Sequence, residues 1–330
     1  MVKRLVKKSI SIVTAVIFSL FFTAAANAQK QLVPVGRAVG IQLYTDGLLV
    51  IGSSEIGSRN IANECGIKNG DRITAVNGKE LSNSDELSDE INTNPENISL
   101  EITRDDRHMT VNAVPAQCDD GIYRLGLWLR DSCAGVGTVT YYDPESNEYA
   151  ALGHAVNDVD TGNILSVKSG NILDCNIVSV TKSSRGIPGE INAVFGDTII
   201  GNIGANTYEG IFGRVENNAC LTGKSLEVAK SAEVHKGDAY IVSDILGGSP
   251  ERYSIRIKKI TDEADKGIEL EVNDNRLIDL AGGIVQGMSG SPIIQDDKLV
   301  GAITHVLVDN PLNGYGTLAE SMLQMQEKCI

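Results

Sequence analysis

From Gln31 to Ala116 apolar and polar positions alternate in short runs, with one interruption of helical period. "AVGIQLYTDGLLVIG" places apolar residues at alternate positions on either side of Asp46-Gly47, a pattern that predicts a β-hairpin. Arg72 to Val76 predicts another strand, closed by an Asn77-Gly78 turn. In "SNSDELSDEI" the apolar Leu87 and Ile91 stand four apart behind a Ser82 or Ser84 cap, the spacing of a short amphipathic helix. "NISLEITRDDRHMTVNAV" then reads as strand, Asp105-Asp106 turn and strand. Beyond Cys118 the runs "RLGLWLRD", "GVGTVTYYD", "YAALGHAV", "NIVSVTK", "SIRIKKI" and "KLVGAITHVLV" are all β-like, separated by glycine turns and almost free of helical period. That spacing predicts a sandwich or barrel. The fold class is therefore mainly β, with a small α+β domain over residues 29–117 and a β domain over residues 118–330.

The first 28 residues obey a different pattern. Lys3, Arg4, Lys7 and Lys8 precede an uncharged, mostly apolar run from Ile10 to Ala26, and Ala26-Asn27-Ala28 supplies a small-residue cleavage site. This segment predicts export as a signal peptide, or as a membrane anchor if it is retained. Either outcome puts the rest of the chain outside the cytoplasm. The formal net charge of −14 disfavours nucleic acid as a partner, because binding a phosphate backbone needs clustered Lys and Arg. Export permits disulfides, but the six cysteines are scattered without a C-x-x-C pair, so neither a metal site nor a cofactor is expected and the thiols read as packed and reduced.

Candidate chemistry starts at "GGIVQGMSGSPII", Gly282 to Ile294. Gly287 and Gly290 allow a tight turn around Ser289 whose amides can converge on one point, as an oxyanion hole requires. Ser289 itself is either a nucleophile or one small polar residue in a turn. A base to activate it must come from four histidines. His108 and His235 fall in turns of solvated character, and His305 lies within a strand, on the face of Ile303 and Leu307. His154 follows a hairpin strand and stands among small residues in "YAALGHAV", where little bulk covers an imidazole.

Three resemblances add to this reading. "GIKNGDRITAVNGKEL" resembles the PDZ domains of exported serine proteases, which implies that an extended peptide adds to a sheet edge. By position that edge is Val39, Gly40, Ile41 and Leu43, with Leu87 and Ile91 either lining the groove or packed in the core; the usual Gly-Leu-Gly-Phe carboxylate loop is not found there. "GMSGSP" and "YAALGHA" are similar to the nucleophile and histidine strings of chymotrypsin-like proteases, which implies a double β-barrel. "YAALGHAVND", "SSRGIPGE", "EGIFG" and "DNRLIDLAGGIVQGMSGSPIIQDDKLVGAITHVLVDNPLNGYG" resemble the stage IV sporulation protein B serine peptidases of endospore-forming bacteria.

That family implies a serine endopeptidase exported across the forespore inner membrane into the intermembrane space, soluble or anchored by its N-terminal segment. Its implied partners are itself, as an autoproteolysis substrate, and a membrane-tethered regulator of an intramembrane protease whose cleavage leads to late sigma-factor activation. It also implies roles: Ser289 as nucleophile, His154 as general base, the Gly287 and Ser289 amides as oxyanion donors and Asp274 as triad acid, with Asp158 and Asp160 as rivals because they follow His154 closely. Position 283, acidic in trypsin-like enzymes, is Gly283, which gives no support for cleavage after Lys or Arg.

Overall fold

The computed structural model describes residues 29–261, 263 and 265–330; the export segment expected over residues 1–28 lies outside the described residues. The chain opens with β1 (Gln31–Pro34) and the long β2 (Ala38–Ser53), followed by β3 (Arg72–Val76), β4 (Lys79–Glu80), β5 (Ile98–Arg104) and β6 (Arg107–Ala113). Helices Ile61–Cys65 and Ser84–Thr93 interrupt this series. The second helix forms where its spacing predicts: Asn83 caps it through its side chain, and Leu87 and Ile91 are its buried residues.

Two short strands, β7 (Ala116–Gln117) and β8 (Tyr123–Arg124), lead into the long β9 (Leu127–Asp143). Then come β10 (Glu148–Ala151), β11 (Val167–Thr181), β12 (Glu190–Asn202), β13 (Ala205–Thr207), β14 (Gly210–Arg214) and β15 (Leu226–Glu227). The last series is β16 (Gly237–Ser243), β17 (Glu251–Ile260), β18 (Ile268–Val272), β19 (Pro292–Gln295), β20 (Lys298–Val306) and β21 (Asn313–Leu318). Helix Asn275–Ala281 follows β18, and helix Ala319–Cys329 ends the chain.

These strands build three bodies. Strands β16 to β21 close a six-stranded barrel in the order β16-β17-β18-β21-β20-β19. Its core is filled by Ile241, Ile255, Ile257, Leu270, Ile293 and Ile303, among others, all at most 1% exposed. At about 1.5–3 kcal/mol for each fully buried aliphatic side chain, this is a cohesive unit. Strands β9, β10, β13 and β14, with β1 and the first half of β2, form a half-barrel packed on Val39, Ile41, Val139, Tyr149 and Ile211. Together they give the mainly β, two-barrel arrangement expected from the resemblance. The third body is the PDZ domain, whose core gathers Leu48, Val50, Ile73, Leu87, Ile91, Leu100 and Ile102.

The hairpin expected at Asp46-Gly47 is instead a bend within one strand. Gly47 takes φ +85, Thr45 Oγ1 donates to its carbonyl at 2.6 Å, and the pairing of β2 with β9 slips between Tyr44 and Leu49. A single left-handed glycine turns the strand enough to leave the half-barrel sheet and enter the PDZ sheet. There Leu48 and Leu49 pair with β3, and Leu49 to Ser53 still follow β9 at Arg130 to Leu127. The division expected near Ala116–Asp120 is thus crossed twice: the half-barrel owns β1 and the front of β2, while the PDZ sheet owns the first residues of β9.

Candidate active site

Ser289 sits where the two barrels meet, and main-chain bonds from both hold its loop. From the half-barrel, Thr138 on β9 donates its amide to the Ser289 carbonyl at 2.9 Å and its hydroxyl to the Gly287 carbonyl at 2.7 Å. From the closed barrel, the Ile303 carbonyl on β20 accepts from Gly290 N at 2.7 Å, and Ile303 N donates to Ser291 O at 2.9 Å. Gly287 and Gly290 adopt φ +95 and +97, and a Cβ on Gly290 would run into Thr138 O. The turn therefore depends on glycine at both positions. Among the described residues no protein acceptor takes the amides of Gly287 or Ser289, which leaves both free for a developing oxyanion.

His154 reaches the same cleft by a different device. After β10 the chain passes through Leu152 and Gly153 at φ +68 and +71, with Leu152 N on Thr138 O at 3.2 Å. A left-handed leucine is costly, and its burial in the half-barrel core holds it. The turn projects His154 toward Thr304 and His305 on β20. Its Nδ1 donates to Ala155 O at 2.7 Å, which fixes the proton on Nδ1 and leaves Nε2 as an acceptor, the tautomer a general base needs. Burial above all, with a smaller push from His305, holds its pKa below the ordinary histidine value, so the ring is neutral at neutral pH. Ser289 Oγ donates to Thr304 O at 2.7 Å, so the hydroxyl must release that carbonyl to give its proton to His154.

The two side chains share a cavity of about 390 Å³ whose other walls include Ile41, Leu43, Val136, Ile284, Val285 and Val306. Among the described residues no acidic one lines it. Gly283 is not part of this lining; a Cβ there would meet the Pro311 carbonyl.

Asp274 is not brought to this centre. It caps the helix Asn275–Ala281, accepts from Arg276 N at 2.9 Å and Ser254 N at 3.1 Å, and pairs with the Arg276 guanidinium. The Arg276 bonds hold its carboxyl below the usual carboxylate range. The resemblance implies a triad role for it, and in this structure its carboxylate is engaged in capping the helix. Its rivals are also engaged elsewhere: Asp158 and Asp160 pair with Arg130 at 2.8 and 2.7 Å. His108 bonds Thr103 at 3.0 Å and His235 bonds Asp296 at 2.8 Å, both away from the cleft.

The PDZ groove needs a correction. Val39, Gly40, Ile41 and Leu43 cannot form a peptide-accepting edge, because this part of β2 is paired with β9 on one side and β11 on the other. Ile41 and Leu43 line the catalytic cavity instead. A pocket of about 350 Å³ lies between the helix Ser84–Thr93 and the start of β9, lined by Leu125, Gly126, Leu127 and Leu129 and by Leu87 and Ile91, which are also buried in the domain's core. Leu125, Gly126 and Leu127 lead into β9, whose first residues pair with Leu49 to Ser53 of β2.

A two-barrel body with Ser289 and His154 in one cleft, joined to a PDZ domain, defines a serine endopeptidase with a peptide-recognition module. The SpoIVB peptidase S55 family model matches residues 121–323 and a PDZ domain model matches residues 53–104. The chain belongs to the SpoIVB peptidase S55 family. None of the curated proteins matches it. Among solved structures, the active form of the Rv3671c protease from M. tuberculosis is similar over 61% of this chain and 75% of its own at 15% identity and TM-score 0.34. Its inactive form covers 59% and 84% at 15% identity and TM-score 0.31. The PDZ domain of an SdrC-like protein from Listeria monocytogenes covers 26% and 87% at 22% identity and TM-score 0.23.

Proposed function

We propose that this enzyme is an exported regulatory peptidase of sporulation in which Ser289 is the nucleophile and His154 the general base. The observation that carries the assignment is their convergence in one cavity, with His154 held as the Nδ1–H tautomer and with the amides of Gly287 and Ser289 unclaimed. In the acylation step Ser289 Oγ bonds the scissile carbonyl carbon, its proton passes to His154 Nε2, and the carbonyl electron pair moves onto oxygen between the two amides. Collapse breaks the C–N bond as His154 returns the proton to the leaving amine. Water then repeats the sequence to release the acid. The apolar cavity walls favour an uncharged aliphatic side chain before the scissile bond.

The family resemblance supplies the biological setting: self-cleavage, then cleavage of a membrane-tethered regulator of an intramembrane protease in the space between the two forespore membranes. The groove between the helix Ser84–Thr93 and Leu127–Arg130 takes an extended peptide as an added strand. A fluorophosphonate probe tests the chemistry. The parent chain should be labelled and should cleave itself, and Ser289→Ala and His154→Ala should do neither. Labelling that survives Ser289→Ala but not Ser291→Ala would move the nucleophile by two residues.

A further inference from the structure

The loop that presents Ser289 is also held by the long hairpin of β11 and β12, whose connection carries the "SSRGIPGE" string, Ser183 to Glu190. That connection lies along the closed barrel. Ser183 donates its amide and its hydroxyl to Ala281 O at 2.8 and 3.0 Å, and Gly186 N donates to Val308 O at 2.9 Å. Where β12 begins, it meets the chain just ahead of the nucleophile. Gln286 N donates to Gly189 O at 2.8 Å and Ile191 N donates to Gln286 O at 2.9 Å, forming a parallel bridge between Glu190 and Gln286. The Ile191 side chain, 5% exposed, packs against Gly287, where an added Cβ would lie 3.0 to 3.3 Å from its atoms.

The bond from Ile191 acts on the oxyanion hole through the geometry of a single peptide unit. Such a unit is planar and trans, so the Gln286 carbonyl and the Gly287 amide hydrogen point in opposite directions from one rigid plate. Fixing the carbonyl fixes the amide. Gly287 stands at φ +95 without a side chain, so local sterics do little to stop that plate from turning over. A turned plate would carry the N–H away from the cleft and aim a carbonyl oxygen at the developing negative charge. Thr138 Oγ1 holds the next plate, through the Gly287 carbonyl, whereas the amide that faces the oxyanion belongs to the plate held by Ile191.

We propose that Ile191 is the positioning residue for the oxyanion hole, its main-chain N–H setting the Gln286–Gly287 peptide and its side chain filling the space against Gly287. This rests on the nucleophile and oxyanion donors assigned above. Ile191 acts through Gly287 and not on the substrate. Because β11 pairs with β2 of the half-barrel while the connection is bonded to the closed barrel, the direction of the donor depends on both barrels at once.

The test is fluorophosphonate labelling of the full chain over a range of probe concentrations, which separates the maximal rate of bond formation from the apparent affinity. Ser289 Oγ bonds phosphorus as fluoride leaves, and the phosphoryl oxygen takes the oxyanion position. The Ile191 amide faces Gln286 and not β11, so Ile191→Pro removes this donor without cutting the β11–β12 ladder. It should lower the maximal rate at least about tenfold, toward the roughly 100- to 1,000-fold loss that follows removal of an oxyanion donor, with the apparent affinity close to the parent's. Ile191→Val, which keeps the amide and most of the side chain, should recover most of the rate lost in Ile191→Pro. If the proline chain does not fold, replacing residue 191 with the α-hydroxy acid of isoleucine exchanges the N–H for an ester oxygen and leaves the side chain intact; the same loss of maximal rate is expected. A folded proline or ester chain that labels at the parent's maximal rate would overturn the inference. So would a loss confined to affinity, or an Ile191→Val chain as slow as the proline one. A parent chain that fails to label brings down the Ser289 assignment itself, whereas a labelled parent beside an unaffected Ile191→Pro brings down this inference alone.

Discussion

Thr138 touches both halves of the catalytic apparatus, so its replacement by valine probes how the loop is held. The side chain is 1% exposed, and its hydroxyl is the hydrogen-bond donor to the Gly287 carbonyl at 2.7 Å. Its main chain binds Ser289 O and Leu152 N, bonds the substitution leaves in place. Valine preserves the branched shape but removes the donor, leaving the Gly287 carbonyl buried and unpaired, at a cost of about 1–3 kcal/mol. If that cost falls on the arrangement that points the Gly287 amide at the oxyanion, labelling should slow roughly 5- to 150-fold. Thr138→Ser keeps the donor and loses one methyl, worth about 0.8 kcal/mol, and should label within a few-fold of the parent. The assay pairs the labelling rate with a thermal melt of each variant. Parent-rate labelling of Thr138→Val, or an equal loss in Thr138→Ser, would refute the hydrogen-bond argument and leave packing as the cause.

Four further outcomes follow from the geometry. Because burial holds His154 below the ordinary value of 6.5 and only the neutral ring can accept the Ser289 proton, the acid limb of the labelling rate should fall below pH 6.5. The same depression means that the unfolded chain takes up the proton first, so this histidine's contribution to stability should decline as pH falls from 6.5 toward the folded value and be complete above 6.5; melts across that window check it. Gly290→Ala should give little folded or labelled protein, since a Cβ there meets Thr138 O at φ +97. A parent-like melt would count against the loop's dependence on glycine. In the PDZ domain, Arg104→Ala strands the fully buried Asp71, bonded by the guanidinium at 2.6 and 2.7 Å, and should destabilise that domain by about 3–5 kcal/mol. Protease resistance of residues 48–131 unchanged by the substitution would argue otherwise.

Local physics explains which of these features could be read from the chain. The helix Ser84–Thr93 follows from a local polar cap cluster and two apolar residues four apart, although the capping side chain is Asn83 and not Ser82 or Ser84. Ser289 and His154 stand out because the backbone conformations that present them require glycine and small neighbours, which leave a mark on the sequence. Strand partnership leaves none: alternation in "AVGIQL" announces two faces and says nothing about which strands lie alongside, so the segment was given to the PDZ edge when it belongs to the half-barrel. Asp274 shows the converse, a local signal: standing just before a short helix and two residues from an arginine, it caps the one and binds the other. The placement of Asp265 Oδ2 3.8 Å from His305 Nδ1 depends on closure of the barrel through β18, β20 and β21, a long-range event with no short-range signature.

The shared strands β2 and β9 bear on how the molecule can be dissected. Starting a shortened protein at residue 118 would discard β1 and all of β2, taking Val39, Ile41 and Leu43 out of the half-barrel and the catalytic wall. Its inactivity would then say nothing about peptide recognition. The separable piece is an inserted loop: Ser54 N and Gly126 O lie 2.7 Å apart, so residues 55–125 leave and re-enter the body at one point. Replacing that loop with a short glycine link preserves both barrels and asks cleanly whether the enzyme needs its recognition module. In engineering terms the module is a cassette plugged into a single socket, and other binding domains with closely spaced termini could be fitted there.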